Sequence, residues 1–251
     1  MIAKAKLQYP NLSKAPIVEA IIDFRVRPRE GMSAESLTPL RDLIDSELPS
    51  FGLARRLQGQ FEVKDGQPAG SSLTHVDVGF RAESADKRHV LQAHIDGLTF
   101  SRLRNYDRWE TFRDDARRMW NAYETVAKPL GITRAAVRYI NRIEYPFPID
   151  FDDYLSRPPG IPDSLPQVVA GFLSRVVIPY ENTGIQIVIT QALEPPTAAG
   201  MVPVILDIDV FLEKGFAAHA QEHWEIMEEL RHLKNRAFFG SLTEKTLEML
   251  K

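Results

Sequence analysis

The stretch Ile17-Val18-Glu19-Ala20-Ile21-Ile22-Asp23-Phe24-Arg25-Val26 decides how this chain is read. Successive side chains of a strand point to opposite faces, so Val18, Ala20, Ile22, Phe24 and Val26 share one side while Glu19, Asp23 and Arg25 share the other. Two later stretches repeat the design. Between Thr133 and Tyr145, Arg134, Arg138, Arg142 and Glu144 fall opposite Val137, Tyr139, Ile143 and Tyr145, and between Pro203 and Phe211, Asp207 and Asp209 fall opposite Leu206, Ile208 and Val210. The pattern predicts a sheet with one dry face under helices and one charged face. Asn141 is the odd member of its strand: an amide on the apolar side must find partners or cost about 1 to 3 kcal/mol.

Outward from these strands, the spacing predicts a helix starting at Ser33 or at Thr38-Pro39 and ending before Pro49. Arg55 to Gly70 is polar and glycine-rich and reads as a loop with one weak strand near Phe61 to Val63. Strands follow over Thr74 to Arg81, Arg88 to Ile95 and Leu98 to Arg104, with Asp96-Gly97 as a two-residue hairpin signal. Trp109, Phe112, Ala116, Met119, Trp120 and Tyr123 recur at three- and four-residue spacing and mark a helix from Asp107 to Lys128, stopped by Pro129 and Gly131. After the 133–145 strand come a proline-rich segment with a short helix near Asp150 to Leu155, and strands over Leu173 to Tyr180, Ile185 to Gln191 and Pro203 to Phe211. A C-terminal helix buries Phe216, Trp224, Met227, Leu230, Leu233 and Phe238; Gly240 interrupts it, and Ser241-Leu242-Thr243-Glu244 restarts it as a capping box.

This order predicts an α+β protein: two similar halves, 1–130 and 131–251, sharing one antiparallel sheet with long helices packed on one face. The element order resembles the duplicated plan of TATA-binding-protein-like folds, where two long helices cover one side of a shared curved sheet. Fold alone does not carry function.

Composition narrows the chemistry. The 251 residues contain no cysteine, which removes disulfides and thiolate metal sites and fits a reducing compartment. No apolar run is long enough to span a bilayer, and Met1 to Lys6 lack the apolar core of a signal peptide, so the expected location is the cytoplasm, with no membrane partner. A net charge of -3 argues against nucleic acid as a partner. Basic residues nevertheless outnumber acidic ones between Phe100 and Arg142, a local surplus that favours an anion.

No phosphate-binding loop, nucleophile elbow or dinucleotide fingerprint is present. His219-Ala220-Gln221-Glu222-His223 fits the H-x-x-E-H pattern of inverted zinc proteases, in which histidines one helical turn apart hold zinc and the glutamate acts as base; His219, Glu222 and His223 are the metal candidates it offers. A solvent-facing turn accounts for the same residues. His75 and Asp77 on one strand, with Gln92 and His94 on a nearby one, form a second polar cluster.

The blocks Leu12-Ser13-Lys14-Ala15-Pro16-Ile17-Val18-Glu19-Ala20, Arg138-Tyr139-Ile140-Asn141-Arg142-Ile143 and Leu242-Thr243-Glu244-Lys245 resemble a sporadically distributed family of uncharacterised prokaryotic proteins of about this length. The likeness spans nearly the whole chain. It implies a bacterial or archaeal protein with a single architecture and no established activity.

The expected function is therefore non-catalytic: a charged sheet face or a helix groove binds a protein partner or a small anionic ligand without a cofactor. The expected site is Glu19, Asp23, Arg25, Arg138, Asn141, Arg142, Asp207 and Asp209. The alternative is a metal-dependent phosphohydrolase, with Asp207, Asp209 and Glu19 or Asp23 holding magnesium and the arginines clamping phosphate. Cross-strand ion pairing on a wet face explains the same charges without any ligand.

Overall fold

In the computed structural model, which describes residues 9–64, 67–104, 106–196, 200–219 and 221–251, the strands form a single sheet. They are β1 (Ile17–Arg27), β2 (Ser50–Lys64), β3 (Gln67–Glu83), β4 (His89–His94), β5 (Gly97–Leu103), β6 (Gly131–Pro146), β7 (Leu173–Tyr180), β8 (Ile185–Leu193) and β9 (Met201–Leu212). All nine are antiparallel to their neighbours, in the order β2-β3-β4-β5-β1-β6-β9-β8-β7. The helices are α1 (Leu40–Ile44), α2 (Trp109–Ala127), α3 (Glu222–Ser241) and α4 (Glu244–Met249). Phe24 shows that both long helices cover the same face: its ring lies 4.7 Å from that of Trp120 on α2 and 5.4 Å from that of Trp224 on α3.

The alternation in the central strands follows the sequence. Ala20, Ile22 and Phe24 of β1, Val137, Tyr139 and Ile143 of β6, and Leu206, Ile208 and Val210 of β9 are all buried in one core with the apolar stripes of α2 and α3. The two long helices run antiparallel and are tied by side chains. Trp109 Nε1 and Arg113 Nη1 both donate to Glu228 Oε1, at 2.7 and 2.8 Å, and Arg117 reaches Gln221. Lys128 closes α2 in the left-handed conformation, ahead of Pro129.

Four expectations change. The Arg55 to Gly70 loop is part of a long hairpin in which the 15 residues of β2 pair with the 17 of β3. The apolar side chains described where this hairpin leaves the core, Leu57, Leu73 and Val76, are exposed, so they supply no alternation signal. The β4–β5 turn is Ile95-Asp96, closed by His94 opposite Gly97, one residue earlier than the Asp96-Gly97 signal implies. Gly97 is needed for space, since a Cβ there would stand 2.4 Å from the carbonyl oxygen of Phe24. The helix expected before Pro49 is a single 3-10 turn, Glu35–Leu37, followed by the five residues of α1. At the C-terminus, Gly240 lies within α3, and the N-cap of α4 is Thr243, whose side chain accepts from Thr246 N, rather than Ser241. Ser241 instead donates back to the carbonyl of Ala237. Met1 to Lys6, Ala220 and part of the loop before Gly200 lie outside the described residues.

Gly79 carries the bend of the long hairpin. It pairs with Ala54 and His94 next to a register shift, at φ +153°, and a Cβ there would meet the Ala93 oxygen at 2.0 Å. Gly79→Ala should cost about 2 kcal/mol or more in urea unfolding, whereas Gly52→Ala, with open space around it, should stay within about 0.5 kcal/mol.

Candidate functional site

Because β1, β6 and β9 are consecutive in the sheet, their charged sides do meet. Asp23, nearly buried, accepts from Arg25 Nη2 at 2.9 Å, from Thr99 Oγ1 at 2.7 Å and from Arg134 Nη1 at 2.9 Å. Arg134 uses its other nitrogen on Asp209 Oδ2, also at 2.9 Å, and its guanidinium lies 4.3 Å from the centre of the Phe211 ring. Arg138 grips Asp207 with two bonds, 2.8 and 2.5 Å. Arg142 pairs with Glu144 and, at 2.9 Å, with Glu194. Glu19 contributes its field to Arg138, whose ionisation is raised first by the bond to Asp207 and further by Asp209 and Glu19. Burial pushes the Asp209 carboxyl up, against the pull of Arg134 and Arg138.

Asp23, Arg25 and Asp209 thus meet around Arg134, with Arg138, Asp207 and the field of Glu19 beside them, whereas Arg142 pairs outside the expected set and Asn141 does not share the face. Asn141 sits on the opposite, helix-covered face, where its Nδ2 donates to the Leu206 carbonyl at 2.9 Å and to that of Tyr139 at 3.4 Å. This meets the demand that burial places on its amide. Arg134, absent from the expected set, is the residue that joins Asp23 to Asp209, and Thr99, also absent from it, donates to Asp23 alone. Most charge on this face is therefore engaged within the protein.

The other charge clusters do not assemble. His219 is exposed and precedes α3, while His223 is buried against Phe24, Trp120 and Trp224, so the two histidines do not present nitrogens to a common ion. Among the described residues, no three His, Asp or Glu side chains stand together as a metal site. His75 is exposed opposite Leu57, beyond the end of β4, and Asp77 pairs with Arg55, so the His75–His94 cluster is likewise dispersed.

A wide opening lies elsewhere. A groove of about 1370 Å³ runs along the helix-bearing side, between the segment Tyr9 to Val18, the start of α2 and the second half of α3, with Asn141 also on its wall. It opens where α2 begins at Trp109 while α3 continues for another helical stretch past Arg231. Lys234 lines it. Its Nζ donates to Asn235 Oδ1 at 2.5 Å and stands 3.8 Å from the centre of the Tyr139 ring, and among the described residues no carboxylate pairs with it. Burial first, and the neighbouring Arg231 guanidinium second, pull this ammonium down to about 7. Arg231 itself reaches Glu110 and Glu228 only at 3.9 and 3.8 Å, too far for good hydrogen bonds. Tyr139 donates to the hydroxyl of Tyr106, also in the groove, at 2.8 Å; burial pushes the Tyr106 phenol up to about 12.

Comparison with protein-family models, curated proteins and solved structures finds no match to this chain.

Two measurements separate framework from surface. Arg134→Ala strands two largely buried carboxylates and should cost about 2 to 4 kcal/mol in urea unfolding, whereas Arg138→Ala, which removes a half-exposed arginine and strands the single carboxylate of Asp207, should cost less, about 1 to 2 kcal/mol. His223 is held neutral by burial, its protonation pulled down to about 4 from the ordinary 6.5. Between these values the unfolded chain binds a proton that the folded chain refuses, so stability should fall as pH drops from about 6.5 to about 4 and level off below. The loss should reach about 3 kcal/mol and disappear in His223→Phe, as read from melting temperature against pH.

Proposed function

We propose that this protein binds a small anion in the groove between α2 and α3, with Lys234 and Arg231 as its cationic wall. One observation carries the reading: an ammonium buried beside a second cation, facing an open groove, with no carboxylate paired to it among the described residues. A buried charge without a counter-ion is costly, and a ligand carboxylate or phosphate would remove that cost while gaining charge-assisted hydrogen bonds. The exposed Arg104 and Arg108, also on the groove, add an attracting field at its mouth. By contrast, the charged face of β1, β6 and β9 has largely spent its charges on itself, and Asp207 gives both oxygens to Arg138. The groove is accordingly favoured over that face, and over a phosphohydrolase centred on Asp207 and Asp209.

We also read the chain as two similar halves joined across the β1–β6 pair. Supporting this, the first strand of each half pairs with the last strand of that half, β1 with β5 and β6 with β9, and a long helix follows each set. The groove then falls near the junction, where the start of one long helix meets the later part of the other.

Sulfate tests the anion reading, because its charge is constant over the useful pH range. It should raise the melting temperature of the full chain, more at pH 6 than at pH 8.5, since Lys234 loses its charge as pH rises through about 7. Lys234→Met should abolish the shift and Arg138→Ala should leave it intact. An equal shift in wild type and Lys234→Met would end the proposal.

A further inference from the structure

Lys234 differs from an ordinary anion-binding lysine in how its nitrogen is held. One N–H is committed to Asn235 Oδ1, and the face of Tyr139 lies against the nitrogen at 3.8 Å, a suitable partner for a second. Among the described residues no carboxylate holds a proton on the third tetrahedral position, and Arg231, about one turn earlier on α3, disfavours one. In the uncharged amine that position is a lone pair. Near pH 7 about half of such amines are uncharged, against roughly one in a thousand for an exposed lysine. Tyr106 lines the same groove, its hydroxyl accepting from Tyr139, and Arg231 offers a carboxylate-binding group there.

We infer that Lys234 captures a small 2-oxo acid as a reversible imine, with the ligand carboxylate directed to Arg231. The inference rests on the anion-binding reading. The Nζ lone pair forms a bond to the carbonyl carbon, and the C=O π pair moves onto oxygen. The two protons given up by nitrogen leave on that oxygen as water, and a C=N bond remains. No oxidant or reductant is consumed.

The experiment uses the full chain with pyruvate and sodium borohydride, which reduces the imine to a stable secondary amine, followed by peptide mass mapping. Lys234 should be labelled at least about tenfold faster than the exposed Lys245, and faster at pH 8 than at pH 6. Lactate, which carries a hydroxyl in place of the carbonyl, should slow the labelling without being incorporated. Arg231→Gln, which keeps Lys234, should also slow it, and Lys234→Gln should leave only the background on surface lysines. Labelling of Lys234 no faster than of Lys245 overturns the inference. In that event, equal stabilisation by pyruvate and lactate that is lost in Lys234→Gln leaves the anion-binding reading standing. Stabilisation by neither removes both.

Discussion

The antiparallel register between β1 and β6 is the constraint on which the rest depends. It sets Phe24 opposite Ala135 and Asp23 opposite Ala136, so one strand sends an aromatic ring up between two helices and a carboxylate down into a cage of arginines. A slip of one residue would drive Asp23 under Trp120 and Trp224 and expose Phe24, reversing both faces at once. The small side chains opposite each position leave room for the large ones. Every later strand inherits this choice, because β5 joins β1 on one side and β9 joins β6 on the other.

Charge is handled in two ways on the two sides of that pair. On the open face, Arg134 spans Asp23 and Asp209, so no member depends on water alone, and the arrangement binds three strands across their hydrogen-bond ladder. Such pairs add little where they are exposed, but the near-burial of Asp23 makes its partners obligatory. On the helix side, Asn141 meets its donors' needs with backbone carbonyls, whereas Lys234 has a single side-chain acceptor and an aromatic face. Among the described residues, no carboxylate pairs with that ammonium.

Much of this was legible in the sequence because the central strands alternate cleanly. Glu19, Asp23, Arg138, Asp207 and Asp209 could be assigned to one face from parity alone, and so could Asn141 to the other. That Arg134, Thr99 and Glu194 are the pairing partners is not legible, because register between strands is not written in either strand separately. The β2–β3 arm is not legible for a different reason: Leu57, Leu73 and Val76 are apolar yet exposed, so they carry no burial period. Lys234 did leave a signal. The buried stripe of α3 runs Met227, Leu230, Lys234, Phe238 at three- and four-residue steps, and a lysine on that stripe must be paired, neutral or beside an opening. Reading the stripe as apolar overlooked it.

His223, one turn before that stripe, and Lys234, within it, show why burial by itself does not identify a site. Both are titratable groups pulled down by desolvation on the same helix. His223 is enclosed by Phe24, Trp120 and Trp224, so a neutral imidazole there acts as a flat packing surface that no solute can approach. Lys234 lies where α2 has not yet begun to cover α3, and its wall of the groove is shared with Arg231 and Tyr106. A core built only for stability would place leucine or methionine at that position, filling the same space without desolvating an amine. The offset between the two helices turns a costly lysine into an accessible one, and access is what separates a binding group from a structural expense.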